Sequence, residues 1–218
     1  MSIRRCRRFA LASSVVVSGL ACRGASQPQA QPELAEHSLS GLAAQHIVLL
    51  PTYATRVMPG LAWSAAIGRP TDVKRTLDAD LLAALDERGM RKVWIFPDDL
   101  QQSYKRNATY AADPYALAEE PLRSPALNTE QRLPEPLASQ LRTLVALHED
   151  ARLILAPVEV RFEPAGAGGR AVLRLVLVDP RLSRPTWIGE IVSDSATSFG
   201  PVISASLASK LANLVAIR

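Results

Sequence analysis

Apolar residues recur with two periods along the chain, and the alternation between them outlines a fold. Ile47, Val48, Leu49 and Leu50 form a short unbroken run ended by Pro51, the pattern of a strand buried on both faces. A loop carrying Met58, Pro59, Gly60 and Trp63 follows. Val73, Leu77, Leu81, Leu82 and Leu85 then share one face of a helix that opens near Pro70, Thr71 and Asp72 and stops at Gly89. Val93, Trp94, Ile95 and Phe96, closed by Pro97, predict a second strand. Residues 98–132 are polar and broken by Pro114 and Pro125, which predicts an irregular insert of short helical pieces and loops.

The second half repeats the alternation. Leu137, Leu141, Leu144, Val145 and His148 keep helical spacing after Pro134 and Pro136. Residues 152–162 predict a strand, residues 164–169 a flexible glycine-rich hairpin loop, and residues 171–178 the next strand. Asp179 and Pro180 begin a turn into a further strand over residues 186–192. Pro201 opens a last helix with Ile203, Leu207, Leu211, Leu214 and Val215 on one face. The order β-α-β-α-β-β-β-α predicts one α/β domain over residues 46–218. It is a two- or three-layer sandwich on a mixed sheet, with antiparallel hairpins in its C-terminal part.

The amino-terminal residues follow a different logic. Arg4, Arg5, Arg7 and Arg8 precede an uncharged run of 13 residues, 9–21, and small residues stand before Cys22. That is the order of a secretory signal over residues 1–21, and the run is shorter than the roughly 20 residues that span a bilayer. The junction Ser18-Gly19-Leu20-Ala21-Cys22 resembles the lipobox of bacterial lipoproteins, which implies cleavage before Cys22 and its acylation. Arg23, where an Asp would imply inner-membrane retention, places the anchor in the outer membrane by the same resemblance. The competing reading is ordinary cleavage near Ala21, with Cys22 an incidental thiol. Residues 22–45, rich in Gln, Ala, Pro and Ser, read as a tether.

Charge sharpens this picture. The chain of 218 residues carries 25 Lys and Arg against 21 Asp and Glu, a net charge of +4. Those four arginines account for the whole excess, since no acid occurs before Glu33, and the chain from Cys22 onward balances at 21 against 21. A nucleic-acid partner is excluded, because binding polyphosphate needs clustered surplus positive charge. The only cysteines are Cys6, inside the signal, and Cys22, so neither an intramolecular disulfide nor a cysteine zinc site is expected.

Motifs for chemistry are sparse. The glycines at 166, 168 and 169 join two strands and end in Arg170, whereas a phosphate loop joins a strand to a helix and carries Lys-Ser/Thr. His37, His46 and His148 form no metal-ligand spacing, and His148 reads as a cap on its helix's negative end. No Gly-x-Ser-x-Gly occurs among the serines at 193, 195, 198, 204, 206 and 209. The acid pairs Asp98-Asp99 and Glu119-Glu120 read as solvated or helix-capping, with Asp98 at a helix start. Met58 and Trp63 are candidate contact residues of an exposed loop, unless Trp63 folds back onto the sheet. No catalytic residue, metal or cofactor is assigned.

The last 70 residues carry a resemblance. Residues 152–156, residues 173–179, Trp187 to Glu190 and the closing helix resemble the TolB amino-terminal-like domains. The curli-secretion and penicillin-binding-protein-activator lipoproteins are similar to the same pattern. Leu49-Leu50-Pro51 matches that group's early strand, and Leu177, Asp179 and Trp187 its late hairpin; Leu182, Ser183, Arg184 and Pro185 stand where the group has Thr-Gly. Asp179 can bond turn amides and Trp187 offers a large apolar face, so both residues bear on fold rather than catalysis. The resemblance implies a protein-interaction module of the bacterial envelope. Three functions are thereby expected in order: a lipid-anchored, non-enzymatic protein facing the periplasm that binds an envelope protein or itself, a periplasmic hydrolase with an unlocated site, and a small-ligand binder using the cleft at the strand ends.

Overall fold

The computed structural model describes residues 41–148 and 150–216, together with Leu39. The expected signal segment, Cys22 and most of the expected tether lie outside these residues. Among the described residues, Leu39 and Leu42 are both buried in the core, within the last part of the stretch read as tether.

The sheet is built around one long strand. Strand β3 (Leu153–Ala165) pairs on one side, in parallel, with β1 (Ile47–Leu49) along its first half and β2 (Ala54–Val57) along its second. On its other side β4 (Gly168–Asp179) runs antiparallel, and β5 (Arg184–Val192) adds antiparallel to β4. A register shift between Pro157 and Glu159 leaves Val158 as an extra residue in β3. Before it, Leu155 faces one core and Ile154, Ala156 and Val158 the other; after it, Val160 and Phe162 face the first core. Without the bulge, strict alternation would turn the second half of β3 inside out.

Two helical layers cover the two faces. Helices α1 (Pro70–Glu87) and α4 (Pro201–Ala216) lie together on one, where Val73, Leu77, Leu81 and Leu85 meet Ile203, Leu207, Leu211 and Val215 over Leu49, Leu155 and Leu175. Helices α2 (Pro97–Arg106) and α3 (Leu137–Ala146) lie on the other, over Val48, Leu50, Ile154, Ala156 and Val176. Leu117, Leu122, Leu127 and Leu133 anchor the irregular segment between them into this second core. The result is a three-layer α/β/α sandwich on a mixed sheet, the class expected from the sequence.

Three local features differ from expectation. Residues 93–96 form no strand: only Ile95 bridges to Val48. The neighbouring donors are already used, because Val93 N and Trp94 N donate to Met90 O and Phe96 N donates to Asp99 Oδ2. β2 has no apolar run of its own and exists through its pairing with β3. The glycine segment is not a flexible loop either. β3 and β4 run almost to its tip, where Gly166 takes the positive φ (57°) of a two-residue hairpin turn.

Candidate functional site

The side chains singled out in the sequence serve mostly the interior. Trp63 is 7% exposed; its Nε1 donates to Ala196 O, and its ring stacks within 6.0 Å of Phe162 and 5.6 Å of Phe199. The indole is therefore unavailable as a surface contact, and Met58, on the same loop, is half-buried, its amide donating to Phe162 O. The physical reason is Gly169: a Cβ there would meet the Trp63 ring at 2.5 Å, so the missing side chain opens the slot that the indole fills. Asp179 Oδ1 accepts from the amides of Arg181 and Leu182, closing the β4–β5 turn. Trp187 lies in the core under α4.

The histidines stand apart. His46 is exposed, and neither it nor His148 makes a side-chain hydrogen bond among the described residues. Burial pushes the His148 imidazole below its usual range and leaves Nε2 without a partner, so a charged cap on α3 is disfavoured. No three His, Cys, Asp or Glu among the described residues are placed to hold a metal ion, and no described helix is long and apolar enough to cross a membrane.

Two polar constellations remain, and the bulge in β3 creates the first. It turns Glu159, Arg161 and Glu163 onto the face that carries Ile154 and Ala156, and pairing sets Arg174 opposite Glu159, Glu190 opposite Arg174 and Arg170 opposite Glu163. Arg161 donates from both terminal nitrogens to Glu190 at 3.3 Å and from Nε to Glu163 at 3.3 Å. Arg170 Nε donates to Glu163 at 2.8 Å, and Arg123 pairs with both Glu159 and Glu120. Burial pushes the Glu163 carboxyl up, but the Arg170 and Arg161 bonds outweigh it and hold that group below the usual range. The leucines of α2 and α3 meet the sheet only on its other half; Arg123 and Ser124 cover Glu159 and Arg174, and Arg161, Glu163, Arg170 and Glu190 are left partly exposed to solvent.

The second constellation is a cavity of about 670 Å³ at the carboxyl end of β1, where ligands of α/β sheets commonly bind. The segment after β1 delivers Thr52, α1 delivers Lys74 and Asp78, the first turn of α2 delivers Asp98, and the following loop delivers Tyr115. Thr52 donates to Asp78 Oδ1 from its amide at 2.8 Å and its hydroxyl at 2.5 Å. Lys74 Nζ donates to Tyr53 O at 3.0 Å. Burial raises the Asp78 carboxyl, opposed by the Thr52 bonds. Behind this wall Glu119 is 1% exposed, its Oε2 lacks a hydrogen-bond partner, and burial pushes it up to about 8.

A cleft at the strand ends is among the sequence-based expectations, but Thr52, Lys74, Asp78 and Tyr115 are not singled out by any motif. Glu119 is neither solvated nor, although it stands at the N-cap of the short helical turn 120–123, bonded as a cap: the flanking Leu117 and Leu122 enter the core and carry it inward, while Glu120 stays outside on Arg123. The usable signal was Lys74 and Asp78, four residues apart on the border of α1's apolar stripe. A smaller apolar cavity, about 270 Å³, lies between α1 and the start of α4 against Phe162 and Phe199.

No protein-family model matches the chain, and no curated protein sequence does. Among solved structures the chain is similar to the PelC dodecamer from Paraburkholderia phytofirmans, at 13% identity, with 80% of this chain and 89% of that chain covered and a TM-score of 0.40. It is also similar to the LpoB C-terminal domain from Salmonella enterica, at 10% identity, with 67% and 81% covered and a TM-score of 0.31.

Proposed function

We propose that this chain is an exported envelope protein, anchored by lipid at Cys22 on the periplasmic side of the outer membrane, whose α/β domain holds a partner protein or a second copy and catalyses nothing itself. The observation that carries this reading is the open half of the sheet. Arg161, Glu163, Arg170 and Glu190 stand on paired strands with their ion-pair partners already in place, so little side-chain freedom is lost on docking. Alternating signs select a partner of complementary pattern rather than one of opposite net charge. The ordering of arginines, apolar run and Cys22 supports the anchor, and the absence of a nucleophile motif among the serines supports a non-enzymatic role.

The test uses the full chain expressed in its envelope, with mass spectrometry of Cys22 and of cross-linked partners. The wild type should partition with membranes and carry acyl groups, while Cys22→Ala should be released. Arg161→Glu combined with Glu190→Arg keeps an ion pair but inverts the pattern, so the domain should fold and lose its cross-links. An unacylated, soluble wild type sinks the anchor. Cross-links unchanged by the inverted pair sink the sheet face as the docking surface.

A further inference from the structure

We propose that the cavity at the carboxyl end of β1 binds an organic cation, the ammonium or guanidinium of a small amine or of a basic side chain, between Asp78 and Asp98 with Tyr115 alongside. Its volume of about 670 Å³ lies in the range of small-molecule sites. Thr52 fixes Asp78 through Oδ1 alone, so Oδ2 takes no protein hydrogen bond among the described residues, and neither does the Asp98 carboxylate.

Lys74 offsets part of the Asp78 charge, but neither it nor Arg75 bonds an acid of the cavity. Lys74 Nζ is drawn back to Tyr53 O, and Arg75 reaches Asp72 at 3.5 Å. The positive end of α2 is answered by Asp99, which accepts from Phe96 N. Burial first, and then the negative field of Asp78, Asp98 and Asp113, push the Tyr115 phenol above its usual range. An anion entering that field is repelled, whereas a cation gains charge-assisted hydrogen bonds and the face of Tyr115. A metal ion fits less well, because no three carboxylates or imidazoles among the described residues converge.

Glu119 does not line the cavity but lies within charge range of its wall. It is a buried acid with an unpartnered oxygen, and the charges acting on it are Lys74 and Asp78, which both line the cavity. Tyr53 also faces it, and Glu120 and Arg123 lie beyond Tyr53. A cation seated on Asp78 offsets the repulsion between Asp78 and Glu119, so its arrival favours release of the Glu119 proton.

This inference stands apart from the lipid anchor and the sheet face, and is tested on the full chain by calorimetric titration. The probes are 1,5-diaminopentane and Nα-acetyl-lysine amide, with Nα-acetyl-norleucine amide and glutarate as neutral and anionic comparators. The amines should bind about tenfold or more tightly than either comparator. Tighter binding of the blocked lysine assigns the site to a basic side chain, and tighter binding of the diamine assigns it to a free amine. Asp98→Asn, at an exposed position, should weaken the amines several-fold with an unchanged unfolding midpoint. Asp78→Asn should weaken them further, checked against its own unfolding curve. Equal binding of the norleucine compound, or amine binding untouched by Asp98→Asn, overturns the proposal.

Discussion

Glu119 and Glu120 are neighbours in sequence and opposites in environment. Glu120 lies outside, paired with Arg123 at 2.9 Å, while Glu119 is carried inward by the leucines on either side. Nothing in two adjacent acids says which one the chain will turn inward, because that depends on where Leu117 and Leu122 find their core. The consequence is measurable. Burial raises the Glu119 carboxyl to about 8, far above its value in an unfolded chain. Between those two values the folded state holds a proton that the unfolded state lacks, so this group's contribution to stability is greatest at low pH and is lost as pH rises towards 8. The slope reaches at most about 1.4 kcal/mol per pH unit. Glu119→Gln should remove that slope: urea midpoints of the variant and the wild type should diverge in the variant's favour from pH 5 to pH 8. Parallel midpoints across that range would show that Glu119 is hydrated.

At the scale of elements, the strongly periodic segments were legible and the exceptions have local causes. The stripes from Val73 to Leu85 and from Ile203 to Val215 became α1 and α4, because one helical face had to be buried against the sheet. Val93 to Phe96 looked like a strand by composition, yet hydrogen bonds to Met90 and Asp99 had taken its donors. The glycines after Ala165 looked like slack, whereas Gly168 and Gly169 are strand residues against which Ala196 and Trp63 close. Two substitutions separate those roles. Gly169→Ala drives a Cβ into the Trp63 ring and should cost about 1–3 kcal/mol, lowering Tm by roughly 3–10 °C. Gly166→Ala meets no neighbour within 4 Å and carries only the strain of its positive φ, about 1 kcal/mol. Thermal unfolding that ranks Gly166→Ala as the more damaging would refute the close packing of Trp63 on β4.

The whole molecule couples these parts through charge. Once Arg4, Arg5, Arg7 and Arg8 are set aside the chain is neutral, and its charged residues act in local pairs such as Arg161 with Glu190 and Arg123 with Glu159. This balance was legible in the sequence. The gathering of those pairs on one half of one sheet face was not, because it depends on a single extra residue, Val158, shifting the register of β3. Neutrality also sets how a partner arrives. A domain without net charge exerts little long-range pull, and screening shrinks the reach of its local pairs from well over 10 Å at low salt to a few ångströms near 1 M. Association with the partner of the open sheet face should therefore depend weakly on salt in its on-rate, changing less than about threefold between 50 and 500 mM NaCl, because shape and diffusion govern encounter. The off-rate should rise over the same range, since the cross-interface pairs that hold the complex are themselves screened. Surface-plasmon kinetics on the captured complex read both rates. A steep fall in on-rate with an unchanged off-rate would mean that long-range steering governs recognition, and would assign binding to a charged patch other than the balanced face of β3, β4 and β5.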